Sequence, residues 1–249
     1  MVHETNWKND VVYFYQFPRP PFVPNYSPFC LKVETFLRAF NIQYEIRESL
    51  TRKSEAGLVP FIELNGQHIA DSQTILDKLT EHFKLETNND PRSKALLRAL
   101  ASHVDNVMYP VLTKCKIDNV KEFSQLMMKT MRGESVLNTP LAAALGMKMK
   151  SSMSNKITSV FGKIGDAELN RRLRCDLDTL RDTLGNEEFF NGSNFSAVDA
   201  SVFSQLAVVY YIPLDLVPKQ LLDSDYPTLV SFLERVRSKC YPDDFVQNK

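Results

Sequence analysis

The sequence predicts an α+β chain in two parts: a small β-α-β-α-β-β-α unit over residues 1–85 and an all-helical unit over residues 92–249. Three observations predict this division. Strand and helix signals alternate up to residue 85. Asn65-Gly66 lies between two short strand-like runs and is a strong two-residue hairpin signal. Beyond Pro91 no convincing strand appears, while apolar residues recur at helical spacing.

The elements follow in order. Val11 to Phe17 is β-branched and aromatic, the composition of a buried strand. A loop with Pro18, Pro20, Pro21 and Pro24 comes next. Ser27-Pro28 starts a helix with Leu31, Thr35, Phe36 and Phe40 at helical spacing, leaving Lys32, Glu34 and Arg38 elsewhere. Gln43 to Arg47 alternates like a second strand, and a short helix is expected before the third, Pro60 to Leu64. After the turn, Gln67 to Ala70 returns as the fourth strand, and Asp71-Ser72 opens a helix with Ile75, Leu76, Leu79 and Phe83 on one face. A polar linker runs from Lys84 to Pro91. Leu96, Leu100, Val104, Met108 and Val111 then mark one long helix, kinked at Pro110. Leu169 to Leu184 marks another, ended by Gly185. Ser196-Ala197-Val198-Asp199 has the spacing of a capping box, with Asp in place of Glu, before a buried helix through Val209. Tyr226-Pro227 starts the last helix.

Composition narrows the function. Apolar residues make up 43% of the 249, enough for a sizeable core, and the formal charges cancel. That balance gives no electrostatic reason to expect nucleic acid. The polar opening MVHETNWKND lacks the apolar core of a signal peptide. The longest apolar stretch, Leu206 to Val217, is too short for a transmembrane anchor and contains Pro213 and Asp215. Cys30, Cys115, Cys175 and Cys240 are far apart, with neither metal spacing nor a disulfide framework, so a reducing, cytoplasmic setting is expected. His3, His68, His82 and His103 form no metal or triad pattern.

This order of elements resembles the glutathione transferase fold, a thioredoxin-like domain joined to an all-helical one. Gly57-Leu58-Val59-Pro60 resembles that superfamily's cis-proline turn, Asp71-Ser72 its acidic-Ser pair, and Ser196 to Asp199 its capping box. Phe14 to Arg19, Ser27 to Thr35, Phe61 to Gly66, Gly162 to Gly165 and Tyr241 to Asp243 are similar to the failed-axon-connections family, a glutathione-transferase-like branch near the metaxins and the nematode cadmium-responsive proteins. The segment around Gly165-Asp166 departs from that pattern by lacking basic and His residues.

Two readings of the site residues stand side by side. Ser27 is a helix cap, or, as the resemblance implies, its hydroxyl donates to the glutathione thiolate; Tyr26 is a weaker rival for that role. Cys30 is read as a small buried residue, and with Ser27 one turn before it no internal disulfide can form there. Val59 and Pro60 are a structural turn, or they present backbone groups to glutathione's cysteinyl unit. Asp71 and Ser72 are an ordinary cap, or they hold the γ-glutamyl end. Cations from Thr51-Arg52-Lys53 would assist. Ser135 to Gly165 carries Lys148, Lys150, Lys156 and Lys163 and no acid. Six of the chain's eight methionines lie in or just before it. It is a flexible core edge with a solvated face, or an adaptable surface for a protein partner or an anionic membrane. The resemblance thus implies either a glutathione-dependent transferase for electrophiles in a stress or detoxification setting, or a non-catalytic module acting through partners in neuronal development or stress response. A homodimer is compatible with both.

Overall fold

Val12–Gln16 forms β1, every residue of it buried. It lies inside a four-stranded sheet of order β2-β1-β3-β4, where β2 is Tyr44–Glu48, β3 Phe61–Leu64 and β4 Gln67–Ala70. β1 pairs parallel with β2 and antiparallel with β3, and β3 pairs antiparallel with β4. The computed structural model describes residues 2–55, 57–85, 90–132 and 140–246. Asn65 and Gly66 adopt φ of 50° and 75°, the left-handed pair that a tight hairpin turn needs. Between β2 and β3 the described residues form turns closed by Gly57 N–H to Ser54 O (2.8 Å) and Ser54 N–H to Leu58 O (2.9 Å). The short helix expected there is absent among them. Gly57 has a φ of 75°, which a right-handed helix does not accommodate.

The pleat sorts β1 and β3 onto two faces. Val12, Phe14, Ile62 and Leu64 join the main core under α1 (Pro28–Ala39) and α2 (Ser72–Phe83). Tyr13, Tyr15 and Phe61 form a separate cluster on the other face. There the carboxylate of Glu63, 1% exposed, accepts from the amides of His3 (2.6 Å) and Glu4 (2.8 Å) and from the Tyr15 hydroxyl (3.2 Å).

The helical part begins with α3 (Pro91–His103), followed by a π turn over Val104–Met108 and α4 (Tyr109–Asp118). The expected single kinked helix is therefore two helices with a π turn between them. Pro110 has no N–H to give the Asn106 carbonyl, and the chain widens in the preceding turn. The Asn106 side-chain nitrogen donates to the Ser102 carbonyl at 2.9 Å. α5 (Val120–Arg132), α6 (Pro140–Phe161), α7 (Asp166–Leu184), α8 (Ala197–Tyr210), α9 (Val217–Asp225) and α10 (Pro227–Cys240) complete the chain. Residues 133–139, part of the Lys- and Met-rich stretch and of its approach, lie outside the described residues, as do residues 86–89 of the linker. No helix among the described residues is long and apolar enough to cross a membrane.

α8 is buried from Val198 to Val209, and α1 packs on it. This corrects the expectation that Lys32 and Glu34 lie off the buried face of α1, since both are 0% exposed. Each survives by being paired, as a buried charge must. The Lys32 ammonium donates to Asp105 in the π turn (2.6 Å) and to Gln73 in α2 (2.8 Å). Glu34 accepts from Arg19 (2.9 Å) and Arg38 (3.1 Å). Both arginines also reach the residues after α10. Arg38 grips the Asp244 carboxylate with two nitrogens at 2.8 and 2.6 Å, and Arg19 donates to the Asp244 carbonyl at 2.8 Å.

Candidate functional site

The pairing register brings three sequence-distant turns to one edge of the sheet. Tyr15 faces Phe61, and Phe61 faces Ala70. The exit of β1 toward Ser27, the approach to β3 through Val59-Pro60, and the exit of β4 into Asp71-Ser72 therefore share that edge. β2 runs parallel to β1, so its exit toward Arg52 lies there too. The Arg52 guanidinium stands 6.0 Å from the Tyr15 ring centroid.

Ser27 caps α1 with extended backbone (φ −82°, ψ 116°), and Pro28 follows at the first helical position. Its hydroxyl oxygen accepts from the Cys30 amide at a long 3.4 Å. Asn25 sets the approach: its side-chain oxygen accepts from the Ser27 amide (2.9 Å) and its nitrogen donates to Gln16 and to the Phe17 carbonyl (3.1 Å each). Cys30 is fully buried, and burial pushes its thiol up to about 12 despite the nearby Ser27 hydroxyl. It is a packing residue, not a thiolate at neutral pH. Burial likewise holds the Tyr26 hydroxyl up at about 12, so it stays protonated.

The Val59-Pro60 peptide bond is cis. Neither backbone polar group of Val59 is paired within the described residues. At the third turn Asp71 holds a φ of 71°, a left-handed conformation uncommon outside glycine. One carboxylate oxygen caps the Thr74 amide at 2.9 Å, and the other has no partner among the described residues. Ser72 is 7% exposed, and its hydroxyl makes no hydrogen bond among the described residues. The amides of Ser72 and Gln73, in the open first turn, are also unpaired there. The helix dipole adds partial positive charge at that point.

A cavity of about 660 Å³ lies elsewhere, between α2, α3 and the start of α8, lined in part by Phe40, Asp77, Arg98 and Ser196. None of Ser27, Val59, Pro60, Asp71 or Ser72 lines it. Ser196 and Asp199 form a closed capping box at the start of α8. The Asp199 carboxylate, 0% exposed, accepts from the Ser196 amide (2.8 Å), the Ser196 hydroxyl (2.7 Å) and the Phe190 amide (2.8 Å). Sequence reasoning missed Asp105, which ties the π turn to Lys32, and Lys116, a lysine 4% exposed on α4. The only signal for either was its position within the buried stripe of a helix.

Comparisons with known proteins agree with this architecture. Residues 28–123 match the family described as Glutathione S-transferase N-terminal domain. Residues 173–236 match Glutathione S-transferase, C-terminal domain. A glutathione transferase of Phanerochaete chrysosporium shares the fold with a TM-score of 0.62, at 15% identity, covering 95% of this chain and 100% of that one. One from Ceriporiopsis subvermispora, solved in complex with glutathione, does so at 0.60 and 16% identity, over 94% and 99% of the two chains. The chain is a glutathione-transferase-like protein. Within that class it is similar to Failed axon connections of Drosophila melanogaster, at 29% identity over 97% of this chain. The chain spans 61% of that protein's length. It is also 25% identical to the isoprene-epoxide glutathione S-transferase of Rhodococcus sp. (strain AD45), over 87% of this chain and 94% of that one. An 87-residue stretch is 34% identical to a metaxin-1 homolog of Caenorhabditis briggsae, over 35% and 28% of the two chains.

Proposed function

We propose that the chain binds glutathione at the sheet edge formed by Ser27, Val59-Pro60 and Asp71-Ser72. The observation that carries this reading is the set of unspent hydrogen-bonding groups gathered there. The Ser72 hydroxyl and the amides of Ser72 and Gln73 would hold the γ-glutamyl carboxylate, as a helix start holds an anion. The free oxygen of Asp71 would pair with the ligand's ammonium. The Val59 backbone would pair with the cysteinyl unit as a strand edge does. The thiol would then meet the Ser27 hydroxyl and the free Phe29 amide, which favour its ionised form. In a transferase the thiolate forms a carbon–sulfur bond to an electrophile, and the displaced group leaves. Glutathione is the nucleophile, and no residue of the chain is covalently modified.

The second reading is a non-catalytic module that binds glutathione or a protein partner, in a cytoplasmic stress or developmental role. The likeness to Failed axon connections favours it. A partner would meet the Lys- and Met-rich helices, and a homodimer fits either reading. Calorimetry with reduced glutathione decides whether the edge binds at all. Affinity between micromolar and millimolar, roughly −8 to −4 kcal/mol, is expected. Silence at several millimolar ligand removes glutathione from both readings. An assay with a generic aromatic electrophile then separates transferase from module.

A further inference from the structure

α3 carries apolar residues at helical spacing, yet it buries Ala101 alone among its described residues. Leu96 is 61% exposed, and Leu97 and Leu100 are half-buried. Their face of the helix looks toward α2 across a gap that the Arg98–Asp77 ion pair spans at 3.0 Å. The cavity of about 660 Å³ lies in that gap. Its volume falls within the roughly 300–1,000 Å³ of small-molecule sites. The floor is apolar: Phe36, Ala101 and Val198 line it and are buried. Phe40, Leu85 and Leu97 stand half-buried around them, and the Phe40 ring tilts against Phe36 with centroids 4.7 Å apart.

The charges of this wall lie toward water. Asp77, Glu81, Lys84, Lys94 and Arg98 are its charged members among the described residues, and all five are exposed. Both acids are already met by protein: Asp77 by Arg98 and by the Gln73 side-chain nitrogen (2.9 Å), and Glu81 by Lys78 (2.8 Å). Two half-buried polar groups are neutral and committed as well. The Gln73 oxygen accepts from Lys32 at 2.8 Å, and the Ser196 hydroxyl donates to Asp199 at 2.7 Å. The depth of the cavity therefore offers aromatic and aliphatic surface and no counter-charge.

We propose that this cavity is a binding site for a small uncharged lipophile. An apolar body laid on Phe36, Phe40 and Leu97 removes their surface from water, which is favourable in proportion to the area covered. A charged group carried to the same floor would lose its hydration without a partner to replace it. The walls come from both parts of the chain, α1 and α2 from the first and α3 and α8 from the second. An occupant therefore ties the two parts together. The inference does not rest on the glutathione reading. Gln73 is shared between the two places, while Ser27, Val59, Pro60, Asp71 and Ser72 lie away from the cavity.

The test uses the full chain and two fluorescent probes built on one ring system. N-phenyl-naphthylamine is uncharged, and anilinonaphthalene sulfonate carries a sulfonate. The uncharged probe is expected to bind at least about tenfold tighter than the sulfonate. Leu97→Trp fills the cavity from α3 and should weaken the uncharged probe about tenfold or more. Thr80→Trp narrows it from the half-buried face of α2 and should weaken the probe severalfold. If Leu97→Trp does not fold, Thr80→Trp decides. No binding of the uncharged probe overturns the proposal, and so does equal or tighter binding of the sulfonate. An affinity unchanged in the folded cavity variants places the probe elsewhere and overturns it too. Reduced glutathione added to the probe complex keeps the two readings apart. A probe that glutathione displaces lies at the sheet edge, which removes this site, whereas a probe that stays bound supports it whether or not glutathione binds.

Discussion

Two helices of this chain begin with a serine and an aspartate, and they put the pair to opposite use. At α8 the serine is the cap and the aspartate lies three residues on, so hydroxyl, amide and carboxylate close on one another. The Phe190 amide takes the remaining carboxylate oxygen, and nothing is left over. At α2 the aspartate is the cap and the serine follows it. The side chain of Asp71 satisfies one amide, while Ser72 points its hydroxyl at no protein group among the described residues. The same two residue types make a lock when separated by a helical turn and buried. They leave groups unspent when adjacent at a helix start, with the aspartate at a left-handed φ.

The comparison breaks most severely at Asp105, which holds the α2 start in place through Lys32 and Gln73. Asp105→Ala leaves the Lys32 ammonium buried without a counter-charge, with only the Gln73 oxygen to bond, and should cost about 3–5 kcal/mol. Denaturant melts would measure it, and glutathione affinity of the surviving folded protein should fall as well. A loss below about 1 kcal/mol would mean that the pair does not support α2.

Asp199→Ala opens the lock. It strands the Phe190 and Ser196 donors and should cost about 2–3 kcal/mol, or roughly 5–10 °C in melting temperature. Ligand affinity should not change. Burial also raises the Asp199 carboxyl from 3.8 to about 6. The folded chain therefore holds that proton more tightly than the unfolded one. This stabilising contribution is complete below about pH 4 and fades as pH rises to about 6, by at most about 3 kcal/mol. Melts of wild type and Asp199→Asn across that window should diverge, with the wild type losing ground toward pH 6.

Ser72→Ala touches the opening instead. It should weaken glutathione binding by about 1–3 kcal/mol while the melting temperature stays within a degree or two. The reverse pattern would make Ser72 structural. The smallest effect is expected at Ser27. Its capping bond is long, so Ser27→Ala should cost about 0.5–1 kcal/mol of stability. The telling readout is the thiol pKa of bound glutathione, which should rise. An unchanged thiol pKa would assign Ser27 to capping alone.

What the sequence disclosed was local in origin. Asn65-Gly66, the Ser-Pro start of α1 and the Ser196 to Asp199 spacing each act within a few residues, and their residue types state the geometry. The β-strands were legible to within a residue, β1, β2 and β3 each beginning one position later than read. The misses depend on distant neighbours. Lys32 and Glu34 look solvated by type and become buried because α8 and the Asp244 segment close over them. The π turn depends on where Pro110 falls in a packed helix. Lys116 reads as an ordinary surface lysine until Phe123 is seen beneath it. The members of the candidate site could be named separately, but their meeting at one edge is a property of strand order.

The grip of Arg19 and Arg38 on Asp244 bears on how the chain can be made and divided. The loop ahead of Ser27 is fastened to a residue more than 200 positions later. A ribosome has released the whole strand-and-helix unit long before it supplies that fastening. Until then Arg19 and Arg38 hold Glu34 without their second anchor. The first 85 residues thus share buried charges and ion pairs with residues far beyond them. Severing the chain between the two parts should yield fragments that must find each other before either is complete.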